Sequence, residues 1–241
     1  MQVQAFFDER TCTISYVVYD PTSRDAIIID PVLDYNSSAS EVFTDSVDKM
    51  IHCIAAKKLN IHMILETHAH ADHLSGAQIL KEQYPEAVTA VGERITMVQE
   101  TFKKVFNLPA DFKTDGSQFD RLLKDGETVN AGTLEFKVIF TPGHTPACTT
   151  FHIQDALFTG DTMFMPDFGT GRCDFPAGSA SDLYDSITEK LYILPDDTRV
   201  FVGHDYQPGG RALKYETSIG EQKRDNIQLP GGHSRDEFVQ F

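Results

Sequence analysis

Short apolar stretches alternate along the chain with longer segments in which apolar residues recur every three or four positions. Apolar runs at residues 14–19 and 26–29 predict strands, and the two-residue alternation over 134–140 predicts another. An Asp125-Gly126 turn separates strand-like pieces before the last of these. Helical spacing is found in three groups: Val47, Ile51, Ile54 and Ala55; Ile95, Val98 and Phe102; and Leu183, Ile187, Leu191 and Leu194. Strands and helices therefore interleave, which indicates an α/β chain.

Residues 67–73 concentrate metal-ligand chemistry, with His68, His70, Asp72 and His73 in six positions. Imidazole and carboxylate are ligand types that zinc and iron(II) accept. His68 and His70 lie two positions apart and would project to the same side of an extended chain. Asp72 and His73 open a periodic segment with Leu74, Ala77, Leu80 and Lys81, which predicts that a strand gives way to a helix here. Taken alone, Asp72 could instead cap that helix, but the four residues together predict a metal site.

Three later turns each place a ligand-type side chain directly after a short apolar run. They are Thr141-Pro142-Gly143-His144-Thr145, Thr159-Gly160-Asp161-Thr162 and Val202-Gly203-His204-Asp205. The glycine in each turn lets the backbone bend sharply and leaves the next side chain at the strand end, where several strands can converge. Any one of these residues could be an ordinary turn residue. Their recurrence predicts one shared site.

Bulk properties indicate a single domain over residues 1–241. The chain is 41% apolar and shows neither a linker nor an apolar run long enough to span a membrane. The first ten residues lack a secretion or transit pattern, so we expect a cytoplasmic protein. The four cysteines have no CxxC spacing and are expected to be reduced. A net charge of −15, from 21 basic and 36 acidic residues, argues against nucleic-acid or anionic-membrane partners.

The order of these motifs, HxHxDH, TPGHT, GDT and a late GH, resembles the metallo-β-lactamase superfamily over nearly the whole chain. The resemblance implies an αββα sandwich with the metal site at one edge of the two sheets. Residues 164–175 read Phe-Met-Pro-Asp-Phe-Gly-Thr-Gly-Arg-Cys-Asp-Phe and resemble an element of persulfide dioxygenases, especially the bacterial ones. Those enzymes resemble glyoxalase II relatives that use oxygen chemistry in place of hydrolysis.

The dioxygenase resemblance implies one Fe(II) per chain, held by His68, His144 and Asp161. Such a triad leaves three octahedral positions for water, a persulfide sulfur and dioxygen. The implied reaction oxidises glutathione persulfide with O2 to sulfite and glutathione, which is sulfide detoxification.

The remaining cluster residues, His70, Asp72, His73 and His204, would then orient the ligands, water or substrate. A hydrolytic relative would use the same residues in a binuclear zinc centre. His68, His70 and His144 would hold one zinc, Asp72, His73 and His204 the other, and Asp161 would bridge. The alternative function is therefore a glyoxalase II-like hydroxyacylglutathione hydrolase, and the ligand set alone does not separate the two. A third alternative is a protein that binds metal or responds to sulfide without turnover.

Arg172, Asp174 and Tyr206 are the candidate substrate-binding residues. The alternatives to these roles are that Arg172 merely pairs with Asp174 on an ordinary surface loop, and that Tyr206 is a core residue. Cys173 could be assigned a role in relaying sulfur, although its acidic neighbours disfavour a reactive thiolate. We expect a homodimer that takes small-molecule substrates. The sequence from Asp236 to Val239 reads like the beginning of a helix, so a short C-terminal tail could be missing.

Overall fold

A computed structural model describes residues 1–240 of the chain and contains two six-stranded β-sheets. The first sheet has the order β1-β2-β3-β6-β8-β9. Its strands β1 to β3 are antiparallel, whereas β3, β6, β8 and β9 run parallel. The strand bounds are β1 Gln2–Asp8, β2 Thr13–Tyr19, β3 Asp25–Ile29, β6 Asn60–Glu66, β8 Val88–Gly92 and β9 Arg121–Leu123.

The second sheet joins the later strands in the order β10-β11-β12-β13-β14-β15. All of its neighbouring strands are antiparallel except β13 and β14, which run parallel. The bounds are β10 Thr128–Ala131, β11 Leu134–Phe140, β12 Thr149–Ile153, β13 Ala156–Phe158, β14 Arg199–Phe201 and β15 Glu216–Ser218. A small three-stranded sheet is formed by β4 (Val32–Asn36), β5 (Glu41–Phe43) and β7 (Leu74–Ser75), with β4 in the middle.

Six α-helices accompany the sheets within residues 1–240. They are α1 Asp45–Lys57, α2 Ala77–Gln83, α3 Ile95–Val105, α4 Ala180–Asp185, α5 Ile219–Asp225 and α6 Arg235–Val239. A wider, π-type helical turn at Ser186–Leu191 continues α4. Short 3-10 turns lie at Gly160–Thr162 and Pro208–Gly210. No helix among these residues is both long and apolar enough to cross a membrane.

Alternating side chains of β2 explain how the layers pack. Ile14, Tyr16 and Val18 point into the core shared with the second sheet, whereas Val17 packs against the α1 and α2 layer. Buried Met50 is among the α1 residues in that outer cluster. Full burial of a side chain of this size contributes about 1.5–3 kcal/mol. The predicted α/β class with αββα layers is confirmed.

Most predicted elements agree with the structure. The predicted strands are β2, β3 and β11, the helical groups lie in α1, α3 and the α4 segment, and the Asp125-Gly126 turn separates β9 from β10. One boundary is wrong, because α2 begins at Ala77 rather than at Asp72. Leu74 and Ser75 pair instead with β4, so Asp72 is not a helix cap. Leu194 lies beyond the end of its predicted helix at Leu191.

Candidate metal centre

Four strand ends meet at one edge of the two large sheets and carry the side chains singled out by sequence. His68 and the residues up to His73 follow β6, His144 follows β11, Asp161 follows β13, and His204 follows β14. The loops are closely packed there. A Cβ atom on Gly203 would lie only 2.9 Å from the Gly160 carbonyl oxygen. Glycine at this position therefore lets two ligand-bearing turns approach each other.

His68, His144 and Asp161 form the most compact group of potential ligands. Their ligand atoms lie within 4.8 Å of one another, and all three side chains are buried. Nε2 of His144 is 3.4 Å from Oδ2 of Asp161, and Nε2 of His68 is 3.8 Å from the same oxygen. Two imidazoles and one carboxylate thus face a common point.

The hydrogen bonds behind the two histidines fix which ring nitrogen is available. Nδ1 of His144 lies 2.7 Å from the backbone carbonyl of Arg172, which can only accept, so Nδ1 carries the proton. Nδ1 of His68 lies 3.0 Å from the Thr67 hydroxyl, which itself donates to Asp30 at 2.8 Å. The hydroxyl oxygen therefore accepts from His68. In their neutral forms both rings would therefore present an unprotonated Nε2 toward Asp161, as metal ligation requires.

Two atoms of this group have no hydrogen-bond partner among residues 1–240, although one of them, Oδ1 of Asp161, has Nε2 of His204 at an ion-pair distance of 3.3 Å. They are Nε2 of His68 and Oδ1 of Asp161, and both are buried. Buried polar atoms of this kind are rare because leaving them unpaired costs about 1–3 kcal/mol each. A cation at this point would satisfy them, so the donor set fits a metal ion.

The electrostatics of the group suit a cation. Burial lowers the pKa of His68 well below its ordinary value, which keeps the ring neutral. Burial alone would raise the pKa of Asp161, but neighbouring groups outweigh it, first among them the His204 imidazole, and hold the pKa well below its usual range. An anionic carboxylate and neutral imidazoles are the forms that bind metals.

A second group, His70, Asp72 and His73, also brings its ligand atoms within 4.8 Å. Nδ1 of His70 and Nε2 of His73 are buried and unpaired within the described part of the chain. His204 lies between the groups, with Nε2 at 3.3 Å from Oδ1 of Asp161 and at 3.5 Å from Oδ2 of Asp72. All seven predicted residues therefore lie in one continuous cluster.

Two carboxylates that the sequence reasoning missed hold His70. Its Nε2 lies 3.2 Å from Oδ1 of Asp30 and 3.2 Å from Oε2 of Glu66. Although burial alone would lower the pKa of His70, Asp30 and Glu66 raise it well above its ordinary value. Asp30 directly follows the apolar strand β3, and Glu66 ends β6. The sequence signal that both share is an acid at the end of an apolar run, which does not by itself distinguish them from ordinary polar strand ends.

A cleft of about 920 Å³ opens beside His144, Asp161 and His204. It is lined by all three predicted substrate residues, Arg172, Asp174 and Tyr206, and by aromatic rings of Phe164, Phe168 and Phe175. A separate recess of about 750 Å³ lies on the other side of Asp72, against the small sheet.

The predicted substrate residues differ in their settings. Nε of Arg172 lies 3.5 Å from Oδ1 of Asp174, and both side chains are about 70% exposed. The guanidinium also lies 4.3 Å from the ring centre of Phe175. Tyr206 is 42% exposed and stacks on His204 with ring centres 5.4 Å apart, so the core alternative for Tyr206 is wrong.

Two cysteines lie in this region of the fold. Cys173 lines the cleft, and its partial burial raises the pKa of the thiol to about 11. Cys148 is buried, and its pKa is raised to about 12. All four cysteines are free thiols. Neither thiol near the cleft is predominantly ionised near neutral pH.

The family model for the metallo-beta-lactamase superfamily matches residues 10–204, which include every cluster residue. The chain belongs to the metallo-beta-lactamase superfamily. The ligand set and the family together support a metal cofactor.

Individual relatives carry different activity names. A beta-lactamase hydrolase-like protein of Agrobacterium fabrum is 47% identical over 99% of the chain, which spans 54% of that protein. Glyoxylase B2 of Dictyostelium discoideum is 45% identical over 100% of the chain and 82% of its own length. Human persulfide dioxygenase ETHE1, a mitochondrial protein, is 29% identical over 85% of the chain and 68% of its own length.

A solved structure gives a further comparison. The crystal structure of ETHE1 from Myxococcus xanthus matches with a TM-score of 0.78 and 32% identity, over 100% of this chain and 89% of that one. The resemblance to the persulfide dioxygenase group is thus confirmed, while the relatives' names differ in the reaction they denote.

Proposed function

We propose that this protein is an iron-dependent persulfide dioxygenase that oxidises glutathione persulfide with O2. The observation that carries the proposal is the compact group of His68, His144 and Asp161, with two imidazole nitrogens facing one carboxylate. Two histidines and one carboxylate on a single face are typical of non-haem Fe(II) oxygenases. The similarity to the ETHE1 proteins supports the same assignment.

The proposed reaction balances with one O2 per turnover. One persulfide, one O2 and one water give one glutathione and one sulfurous acid, which ionises to sulfite. Bound iron would supply the redox chemistry that lets dioxygen react with a closed-shell sulfur compound. The protein would supply position and charge, as the following contacts indicate.

Different residues of the chain would position the ligands and the substrate. The Arg172 carbonyl and the Thr67 hydroxyl hold the two histidines in the ligating tautomer. His204 lies against Oδ1 of Asp161 and restrains the carboxylate. The Arg172 guanidinium at the cleft can attract an anionic persulfide. The Tyr206 hydroxyl keeps its proton, because burial raises its pKa, and can donate a hydrogen bond to the substrate.

A second candidate function has its own supporting observation. The buried, unpaired nitrogen of His73 lies beside Asp72, which is 3.5 Å from Nε2 of His204, and these three residues are the expected ligands of a second zinc. A buried nitrogen of His70, an expected ligand of the first zinc, is also unpaired within the described residues. A binuclear zinc centre of this kind would suit a hydroxyacylglutathione hydrolase. The glyoxylase and hydrolase-like names of two relatives agree with that alternative.

The experiment that separates the candidates uses two metal forms and two substrates. Protein loaded anaerobically with Fe(II) receives glutathione persulfide while oxygen uptake and sulfite are recorded. Zinc-loaded protein receives S-lactoylglutathione in parallel. We expect one O2 consumed per sulfite formed, and metal analysis should give one iron per chain. Thioester cleavage by the zinc form without oxygen uptake by the iron form would overturn the proposal in favour of the hydrolase.

Substitutions test the ligand assignment. His68→Ala and Asp161→Ala should each abolish iron retention, while His52→Ala, at an exposed histidine outside the cluster, should retain it. Full iron content and full activity in either of the first two variants would remove that residue from the ligand set. Metal binding with no activity on either substrate would favour a binding protein without turnover. The homodimer, the cytoplasmic location and the single domain over 1–241 remain predictions.

A further inference from the structure

The backbone segment from Thr170 to Arg172 connects the wall of the cleft to the metal centre. At one end, Thr170 is bound by the side chain of Gln228, which follows α5. At the other end, the Arg172 carbonyl accepts the hydrogen bond from Nδ1 of His144. We propose that Gln228 is a positioning residue for His144, which it orients through this segment. The inference rests on the proposed role of His144 as a metal ligand.

Gln228 holds Thr170 by two hydrogen bonds to the same oxygen. Oε1 accepts from the Thr170 backbone N–H at 2.6 Å and from the Thr170 hydroxyl at 2.8 Å. The preceding Gly169 has a φ of +100°, and a Cβ atom there would lie 2.4 Å from Oε1 of Gln228. The amide oxygen therefore fits a space that only a glycine backbone leaves open.

The backbone of Gln228 is held in turn by the buried side-chain amide of Asn226. Oδ1 of Asn226 accepts from the Gln228 backbone N–H at 3.0 Å, and Nδ2 of Asn226 donates to the Gly169 carbonyl at 3.2 Å. Nδ2 also donates to Oε1 of Gln222 at 2.7 Å. Asn226 and Gln222 are almost completely buried. The Gln228 side chain thus extends from a rigid base, so it can define where Thr170 lies.

Gly171 transmits this position to the metal centre. A Cβ atom on Gly171 would lie 2.0 Å from the Asp161 carbonyl oxygen and 3.4 Å from Cβ of His144. The Gly171 backbone therefore packs directly on two of the proposed ligands. If Thr170 moves, Gly171 must move against Asp161, and the Arg172 carbonyl must shift relative to Nδ1 of His144.

Weakening the hydrogen bond between the Arg172 carbonyl and Nδ1 of His144 should measurably lower the affinity for metal. Groups that orient ligating histidines typically change metal affinity by about 10- to 100-fold when they are removed. Gln228 acts at one further step from the ligand, so we expect the lower part of that range. The effect should require the Oε1 acceptor, because both bonds to Thr170 end on that atom.

The test compares Gln228→Met, which has no acceptor oxygen, with Gln228→Glu, which keeps one. Gln83→Met, at an exposed glutamine, is the matched control. The Co(II) dissociation constant is measured by chelator competition, together with the visible Co(II) spectrum and the melting temperature of the metal-free protein. We expect Gln228→Met to raise the dissociation constant about tenfold and to change the spectrum. Gln228→Glu and Gln83→Met should stay within about twofold of the original protein, because neither removes that acceptor oxygen.

A purely structural role gives a different result. If Gln228→Met lowers the melting temperature but leaves the dissociation constant and the spectrum unchanged, the inference is wrong. An unfolded Gln228→Met variant is replaced by Thr170→Val, which keeps the backbone bond to Gln228 and loses the hydroxyl's bond to Gln228 and its weaker 3.5 Å contact with the Gly171 carbonyl. That variant should show a smaller change in the same direction, and unchanged affinity would again overturn the inference. Neither readout requires catalysis, so absence of oxygen uptake would refute the proposed function without deciding the role of Gln228.

Discussion

Replacing Thr67 with valine should weaken metal binding in addition to weakening the fold, because the Thr67 hydroxyl makes a separate hydrogen bond for each. The Thr67 hydroxyl is buried, donates to Asp30 at 2.8 Å and accepts from Nδ1 of His68 at 3.0 Å. Valine has nearly the same shape but can make neither bond. Asp30 keeps the bond from the Thr67 backbone N–H at 2.7 Å, so the loop should retain its path.

The two lost bonds act on different equilibria. Loss of the bond to the Asp30 carboxylate lowers the free energy of unfolding of the metal-free protein by about 1.5–3 kcal/mol, as is typical of hydrogen bonds to charged groups. The His68 ring can move its proton to Nε2 in the metal-free protein and so avoid a buried unpaired N–H. Metal binding reverses that shift and leaves the Nδ1 proton without an acceptor. The expected loss of affinity is about 10- to 100-fold, or roughly 1.4–2.8 kcal/mol.

Chelator competition with Co(II) or Fe(II) and denaturant unfolding of the metal-free protein measure the two quantities. Thr67→Ser keeps a hydroxyl and should preserve most of the affinity. Thr149→Val is the matched control, because its buried hydroxyl donates to the Ala147 carbonyl at 3.2 Å, outside the metal centre. The reasoning fails if Thr67→Val is folded and binds metal within about twofold of the original protein, since a lost orienting group changes affinity at least about tenfold.

Three further predictions concern the surroundings of the ligands. His204→Ala should retain its iron while its turnover falls, because His204 restrains Asp161 through Oδ1; loss of one of two bound metals on analysis would instead indicate a binuclear centre. Arg172→Gln should raise KM for an anionic persulfide about two- to fivefold at unchanged metal content, because the carbonyl that holds His144 is retained; an equal effect at high salt would contradict this electrostatic role. The pKa of Cys173 is raised by burial from 9.0 to about 11, so its alkylation should be about 100-fold slower than that of an ordinary thiol at neutral pH and should accelerate until about pH 11; a plateau below pH 9 would refute the shift.

The strands and the metal cluster were predictable because their signals are local. An apolar run such as the one in β2 predicts a strand whichever strand it pairs with. The HxHxDH motif carries its potential ligands within six consecutive positions. The start of α2 was mispredicted because Leu74 satisfies helical spacing with Ala77 and Leu80, whereas Leu74 and Ser75 pair with β4, a partner about forty residues away in sequence. Helical periodicity cannot reveal a two-residue strand that is defined by its partner.

The residues that orient the ligands were harder to predict for a similar reason. Asp30, Glu66 and Thr67 look like ordinary polar ends of apolar strands until the parallel pairing of β3 with β6 places those ends side by side. Gln228 lies far along the chain from the Thr170 loop it binds. Such roles depend on tertiary contacts, whereas ligand identity is visible in residue type and spacing.

The centre takes its side chains from both sheets, and this has a mechanical consequence. His68 follows a strand of the first sheet, whereas His144 and Asp161 follow strands of the second. A metal ion held by all three would cross-link the two sheets of the sandwich, in addition to their shared apolar core. At a free metal concentration 1,000 times the dissociation constant, this cross-link adds about 4 kcal/mol to the free energy of unfolding. Chelation would then lower the resistance of the sheets to separation, so protease cleavage between them should be faster in the stripped protein.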